Sequence, residues 1–277
     1  INILGERTDD LLIGFFMGST LLGYYAVAYR ILKLARQLLV RTLINVAIPV
    51  FSRLQSSLDR LRRALLSAIR VTSFIAMPCF VGLGGVAYVL VPVLFGSQWE
   101  PAVPLVQVLV GAGIVDAVLL FHSPVLIARA LTGRDMVLTA VKTLILIGLF
   151  LATVRINLVW VAGAYVMASA LTLPVAYGAV REIVPLEVGD YVRALIPAVV
   201  GATAVGGSME LARWTMPDTY SSMTVAILSL VGGGAGWLVV SWLVVPDQCR
   251  EIGRLVRLVF SSSGSPSDLM EGADTDG

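Results

Sequence analysis

Arg30, Lys33, Gln37 and Arg41 are polar residues, three of them cationic, set in an otherwise apolar run. At about 100° per residue they fall within a sector of roughly 80° on one helix face, while Arg36 points elsewhere. At about 1.5 Å rise per residue, Arg41 lies some 16 Å deeper than Arg30. If the run crosses a bilayer, that puts Arg41 near the midplane, where an unpaired, lipid-facing Arg costs at least a few kcal/mol. The stripe is therefore expected to face a watery cavity or a partner. A cavity lined this way is a track for a polyanion, because guanidiniums grip phosphate oxygens in bidentate fashion. The competing reading has Arg30 and Lys33 snorkelling to the outer headgroups and Arg41 paired with a carboxylate in the bundle. Snorkelling accounts for the upper two cations but not for Arg41.

Three acids share this apolar setting. Asp9 and Asp10, beside Glu6 and Arg7, stand at the mouth of the first apolar run. Either has the chemistry to bind a coupling Na⁺ or proton, the usual role of an intramembrane carboxylate; the alternatives are a solvated mouth or an ion pair with the stripe. Asp116 lies deeper and precedes His122, the single histidine. Six residues put these two about 120° out of phase, so they do not pair on one face. A proton relay is open to each, and satisfied packing is the more ordinary role for His122. No G-x-S-x-G, P-loop or H-E-x-x-H pattern occurs, so no catalytic constellation is expected. Cys79 and Cys249 lack metal or pairing spacing, so no metal is expected. Gly232, Gly233, Gly234 and Gly236 lie in an apolar run and suit close helix packing better than a phosphate loop. The expectation is a non-enzyme with no cofactor beyond possible Na⁺ or H⁺ coupling and no nucleic-acid partner.

The elements that must position these residues are membrane spans. Of 277 residues, 57% are hydrophobic and 14% charged, against roughly 25% charged in a soluble domain. The mean hydropathy of +0.88 is spread along the length, which points to many spans rather than one anchor. Runs of about 17 or more apolar residues predict an all-α, polytopic transmembrane bundle of about eight spans, over 8–25, 28–51, 67–95, 102–131, 136–154, 157–180, 192–212 and 222–245. Residues 1–260 then form the transmembrane domain. The tail 261–277, rich in Ser, Gly and Asp, reads as disordered and cytoplasmic. Ile1 opens the chain with no basic segment or cleavage site before the first apolar run, so the expectation is no signal peptide and a missing natural N-terminus.

Orientation follows from the excess of Lys and Arg in cytoplasmic connections. The segment holding Arg53, Arg60, Arg62, Arg63 and Arg70 is assigned to the cytoplasm. Alternation places the Arg129–Asp135, Arg181–Arg193 and Arg250–Arg257 segments on the same side, and all are basic. The opposite connections, Gly96–Glu100, Val154–Asn157 and Arg213–Ser221, hold few cations.

The stretch Asp10-Leu-Leu-Ile-Gly14, then Gly18, Leu22-Gly23-Tyr24-Tyr25 and Ala28-Tyr29-Arg30 resembles the start of the C-terminal lobe of Wzx-type polysaccharide exporters, in the multidrug/oligosaccharidyl-lipid/polysaccharide (MOP) exporter superfamily. Pro49-Val-Phe-Ser-Arg-Leu-Gln55, Asp59-Arg-Leu-Arg-Arg63, Leu94-Phe-Gly96, Trp99 and Ala102-Val-Pro-Leu-Val-Gln107 extend the likeness, which is dense over 2–131 and weak beyond. The resemblance implies two pseudo-symmetric helical lobes around a cavity, with alternating access carrying a polyprenyl-linked glycan across the inner (cytoplasmic) membrane. The chain would supply the C-terminal lobe and extra helices and would work only with an N-terminal lobe. Arg30 matches the family's tyrosine-arginine element, whereas Lys33, Gln37 and Arg41 join it by helical phase alone.

The expected function is thus flipping of a lipid-linked oligosaccharide or polysaccharide precursor. The rivals are another exporter of the superfamily, for peptidoglycan lipid precursor or drugs, and a membrane-embedded O-antigen ligase or polymerase. A ligase needs a sizeable external catalytic loop, and the outer connections are too short to build one. A drug exporter would favour an apolar, acid-containing cavity over a cationic one.

Overall fold

The computed structural model describes residues 13–215 and 222–244, with backbone alone at 40–46, 222 and 240–244. The predicted Asp9, Asp10 and the tail 261–277 lie outside the described residues. After a helical stretch at 13–17, the elements are α1 (Ser19–Leu54), α2 (Leu58–Phe95), a 3₁₀ turn (Ser97–Ala102), α3 (Val103–Leu119), α4 (His122–Ala128), α5 (Thr132–Thr153), α6 (Leu158–Arg181), α7 (Val188–Thr215) and α8 (Ser222–Val244). No strand occurs among the described residues. Helices are what an apolar chain must form in lipid, since each satisfies its own backbone. Segments α2, Ser97–Ala128, α5, α6 and α7 are long and apolar enough to cross a membrane. The apolar stretch Met223–Val239 of α8 is shorter.

The first predicted boundary needs correction. Hydropathy predicts two spans over 8–25 and 28–51, yet Ser19–Leu54 is one continuous helix. The chain breaks earlier, at Gly18, whose φ of +86° is cheap for glycine and strained for other residues. Gly23 is helical, and the space a side chain would take there lies against the Trp99 ring. The predicted third span also begins nearer the chain start, because the cations Arg60, Arg62 and Arg63 occupy the first turns of α2. A hydropathy window cannot see such a charged helical extension.

Side chains pack into two main apolar clusters, one above the other along the bundle. The first joins Tyr25, Ala28, Leu32, Phe80, Leu105, Leu109, Val161 and Tyr165. The second joins Phe51, Leu61, Leu65, Phe74, Phe121, Val125 and Tyr191. Ile114 packs against both. Helix α3 lies between them, crossing α2 so closely that a Cβ on Gly113 would stand 2.5 Å from the Phe80 ring. A small residue is therefore needed there. Large apolar side chains such as Leu144, Leu151, Trp160 and Ile196 remain exposed, an outward face suited to lipid rather than water.

At one end of the bundle the basic connections are tied together. Arg62 of α2 pairs with Asp190 of α7; Arg129 donates to the Gln55 carbonyl oxygen at 2.8 Å; Arg134 of α5 pairs with Glu182 at 2.6 Å. The α1–α2, α4–α5 and α6–α7 connections therefore share one end, as the charge alternation requires.

Candidate functional site

Arg30, Lys33 and Gln37 line one groove of about 620 Å³ with Leu34, Leu38 and Leu90. All three polar residues are exposed into it, so helical phase placed them on a common face. Arg41 is helical, but its side chain lies outside the described residues.

The single continuous α1 changes the depths. Gly23 packs beside Trp99 and so marks the level of the α2–α3 connection. Measured along α1 from there at 1.5 Å per residue, Arg30 lies about 10 Å in, Lys33 about 15 Å, Arg36 about 20 Å and Arg41 about 27 Å. If a hydrocarbon layer of about 30 Å began at that level, Lys33 and Arg36 would stand nearest its centre and Arg41 near its far boundary.

Arg36, outside the predicted stripe, meets Asp116. Its Nη1 lies 3.2 Å from Asp116 Oδ2 and donates a long 3.5 Å hydrogen bond to the Tyr165 hydroxyl. Lys142 of α5 donates to Asp116 Oδ1 at 2.9 Å. Asp116 is buried at the waist between the two apolar clusters. It is a carboxylate held by two cations, an arrangement that leaves it poorly suited to bind a further cation. Tyr29 meets the Tyr165 ring edge-on, with centroids 5.7 Å apart, and stacks on Tyr25 at 6.1 Å, so an aromatic ladder continues from the ionic cluster toward the Trp99 end.

Lys142 is a site residue that the sequence reading misses. The signal is present: it is a lone cation in the middle of an apolar run, which demands a counter-ion. His122 is buried with a polar neighbour at each ring nitrogen. Its Nδ1 is 3.1 Å from the Leu119 carbonyl oxygen and its Nε2 is 3.3 Å from the Tyr191 hydroxyl.

A second cavity, about 420 Å³, lies between α2, α7 and α8 and is lined by Pro78, Cys79, Gly82, Val205, Leu230 and Trp237. Leu83 and Leu90 line both this apolar cavity and the cationic groove, so the two adjoin across α2.

The sequence model of the family described as "Polysaccharide biosynthesis protein" matches residues 1–104. The teichuronic acid biosynthesis protein TuaB of Bacillus subtilis is 27% identical over 93% of this chain and 54% of its own length. The lipopolysaccharide biosynthesis protein WzxC of Escherichia coli is 27% identical over 43% of this chain and 24% of its own. Among solved structures, the lipid II flippase MurJ in an inward closed conformation matches with a TM-score of 0.73 and 15% identity, over 89% of this chain and 51% of that one. The chain thus spans about half the length of the relatives it follows furthest. The chain is thus similar in sequence to proteins of polysaccharide biosynthesis and shares the helical fold of a membrane flippase.

Proposed function

We propose that this chain forms part of a flippase that carries a polyprenyl-linked oligosaccharide across the cytoplasmic membrane by alternating access, together with a further lobe. The observation that carries this reading is the shared wall of the two cavities. A lipid-linked glycan is anionic at its phosphate and apolar along its chain. Arg30 and Lys33 supply cations on one side of Leu83 and Leu90, and Val205 and Trp237 help to line an apolar cavity on the other. Charge-assisted contacts would hold the phosphate, while chain burial would stabilise by about 0.8 kcal/mol per CH₂. The names of TuaB and WzxC, both of polysaccharide pathways, favour a surface glycan over a drug. For a cationic drug, the buried acid Asp116 is already paired with two cations.

The test is deletion of the gene in its host. Surface polysaccharide should be lost and lipid-linked precursor should accumulate on the inner leaflet; the wild-type gene should rescue, and Arg30→Gln/Lys33→Gln should not. Unchanged surface glycan in the deletion strain, or full rescue by the double variant at normal abundance, would refute the reading.

A further inference from the structure

Between the start of α5 and the end of α6 lies a groove of about 450 Å³, at the same end of the bundle as the basic connections. Arg134 and Glu182 both line it and pair with each other at 2.6 Å. The rest of its wall is apolar, with Val137, Pro174, Val175 and Gly178. At 1.5 Å per residue, Val137 lies about 5 Å along α5 from Arg134, and Pro174 about 12 Å along α6 from Glu182, so the charge is confined to one end. Gly133 and Gly178 keep the groove open, since a Cβ on either would meet no atom within 4 Å. Val137 and Val175 are exposed, and only 6% of the apolar window of α5 is buried. The apolar part therefore opens onto the outward face suited to lipid.

We propose that this groove holds a membrane phospholipid with a primary-amine headgroup, its phosphate on Arg134, its ammonium on Glu182 and an acyl chain along Val137, Pro174 and Val175. The groove shares no lining residue with the cationic groove or the apolar cavity, so the site does not rest on the flippase reading. Charge decides the headgroup. Arg134 and Glu182 sum to zero, as do Asp135 and Arg181 beside them, so an anionic lipid loses at Glu182 what it gains at Arg134. A zwitterion meets both signs. A primary ammonium also brings three N–H donors to the carboxylate, and a quaternary ammonium brings none. The pair need not open for this. It engages Nη1 and Oε2, while a guanidinium has five donors and a carboxylate two oxygens. Contacts at a solvated rim are weak, so the headgroup sets preference and the buried chain sets affinity.

The experiment uses the purified whole gene product in detergent, stripped of lipid and then offered phosphatidylethanolamine, phosphatidylcholine and phosphatidylglycerol with matched acyl chains, with bound lipid counted by native mass spectrometry. The wild type should retain the ethanolamine lipid about fivefold over either of the others. Glu182→Gln should abolish its lead over the choline lipid and favour the glycerol lipid, because Arg134 then stands alone. Gly178→Leu fills the groove and should lower retention of all three about fivefold or more; its side chain enters open space, so the melting temperature should hold. Arg213→Gln, at the other end of α7, should change nothing. Equal retention of the three lipids by the wild type, or an unchanged preference in Glu182→Gln, would overturn the headgroup assignment. That variant alters an exposed side chain and keeps the test open should Gly178→Leu fail to fold. Undiminished retention by a folded Gly178→Leu would overturn the groove as the site. Dimers that Gly178→Leu abolishes, with lipid counts unchanged, would give the groove to a second copy of the chain and overturn the lipid.

Discussion

Replacing Asp116 by Asn should damage the protein more than removing either of its cations, and the charge count says why. The cluster of Arg36, Asp116 and Lys142 carries a net charge of about +1 at the waist of the bundle. Loss of one cation leaves a neutral pair, whereas loss of the carboxylate leaves two like charges facing each other. A pair at about 3 Å has a gross attraction of about 5 kcal/mol at an effective dielectric constant near 20, most of which desolvation of the carboxylate cancels. Stranding a buried charge costs about 3–5 kcal/mol, but the Arg36 and Lys142 side chains are 36% and 30% exposed, so screening reduces this. The expected cost is about 2–4 kcal/mol for Asp116→Asn and about 1–2 kcal/mol for Lys142→Met or Arg36→Met. Thermal unfolding in detergent, together with membrane abundance in cells, reads the order. A triple replacement by apolar residues of similar volume should recover stability, since buried ion networks exchanged whole for apolar packing are often neutral or better. Asp116→Asn melting with the wild type, or Lys142→Met proving the more harmful, would refute the electrostatic account.

Three further outcomes are expected. Gly113→Ala should destabilise by about 1–3 kcal/mol, because the new Cβ meets the Phe80 ring at 2.5 Å, whereas Gly85→Ala should cost less, because the atoms it meets are the flexible end of Met209; melting of the two variants gives the comparison. Single cysteines at Asp59, Arg134 and Glu187, in a background lacking Cys79 and Cys249, should react with an impermeant thiol reagent only in opened cells, and one at Gln98 in intact cells; labelling of all four from outside would overturn the orientation. Arg62→Ala should lower stability by about 1 kcal/mol or less, since its ion pair with Asp190 is partly solvated, and a larger loss of melting temperature would show that this tie does more than join α2 to α7.

Hydropathy makes most of the bundle legible, because apolar runs and polar connections report directly on what lipid tolerates. The ends of α5 and α6 and the start of α7 lie within a few residues of the runs that predict them. What hydropathy does not carry is backbone conformation. Gly18 and Gly23 look alike in the sequence, and only the first takes the left-handed φ that turns the chain. That one difference makes a single helix of what hydropathy divides into two runs. Phase is robust to this error, since angles between residues on a helix do not depend on where the helix begins, so Arg30, Lys33 and Gln37 still share a face. The pairing within the ionic cluster is not legible for another reason. Arg36, Asp116 and Lys142 come from α1, α3 and α5, and no local spacing records a contact made between separate helices.

The two cation sets of α1 differ in what lies opposite them. Arg30 and Lys33 face a groove with leucine walls. Arg36 faces a carboxylate and a tyrosine fixed on other helices. About 60° of helix face separates Arg36 from Lys33. The azimuth of α1 therefore decides which of its cations line the groove and which meets Asp116. The contacts of Gly23 with Trp99 and of Tyr29 with Tyr165 bear on that azimuth from one end, and Phe51 against Phe121 from the other. Aromatic packing at both ends and ionic pairing at the waist thus act on the same variable. Arg30 and Lys33 are thereby kept on the groove side of α1, while Arg36 is committed to Asp116 and Tyr165 on the helices behind it.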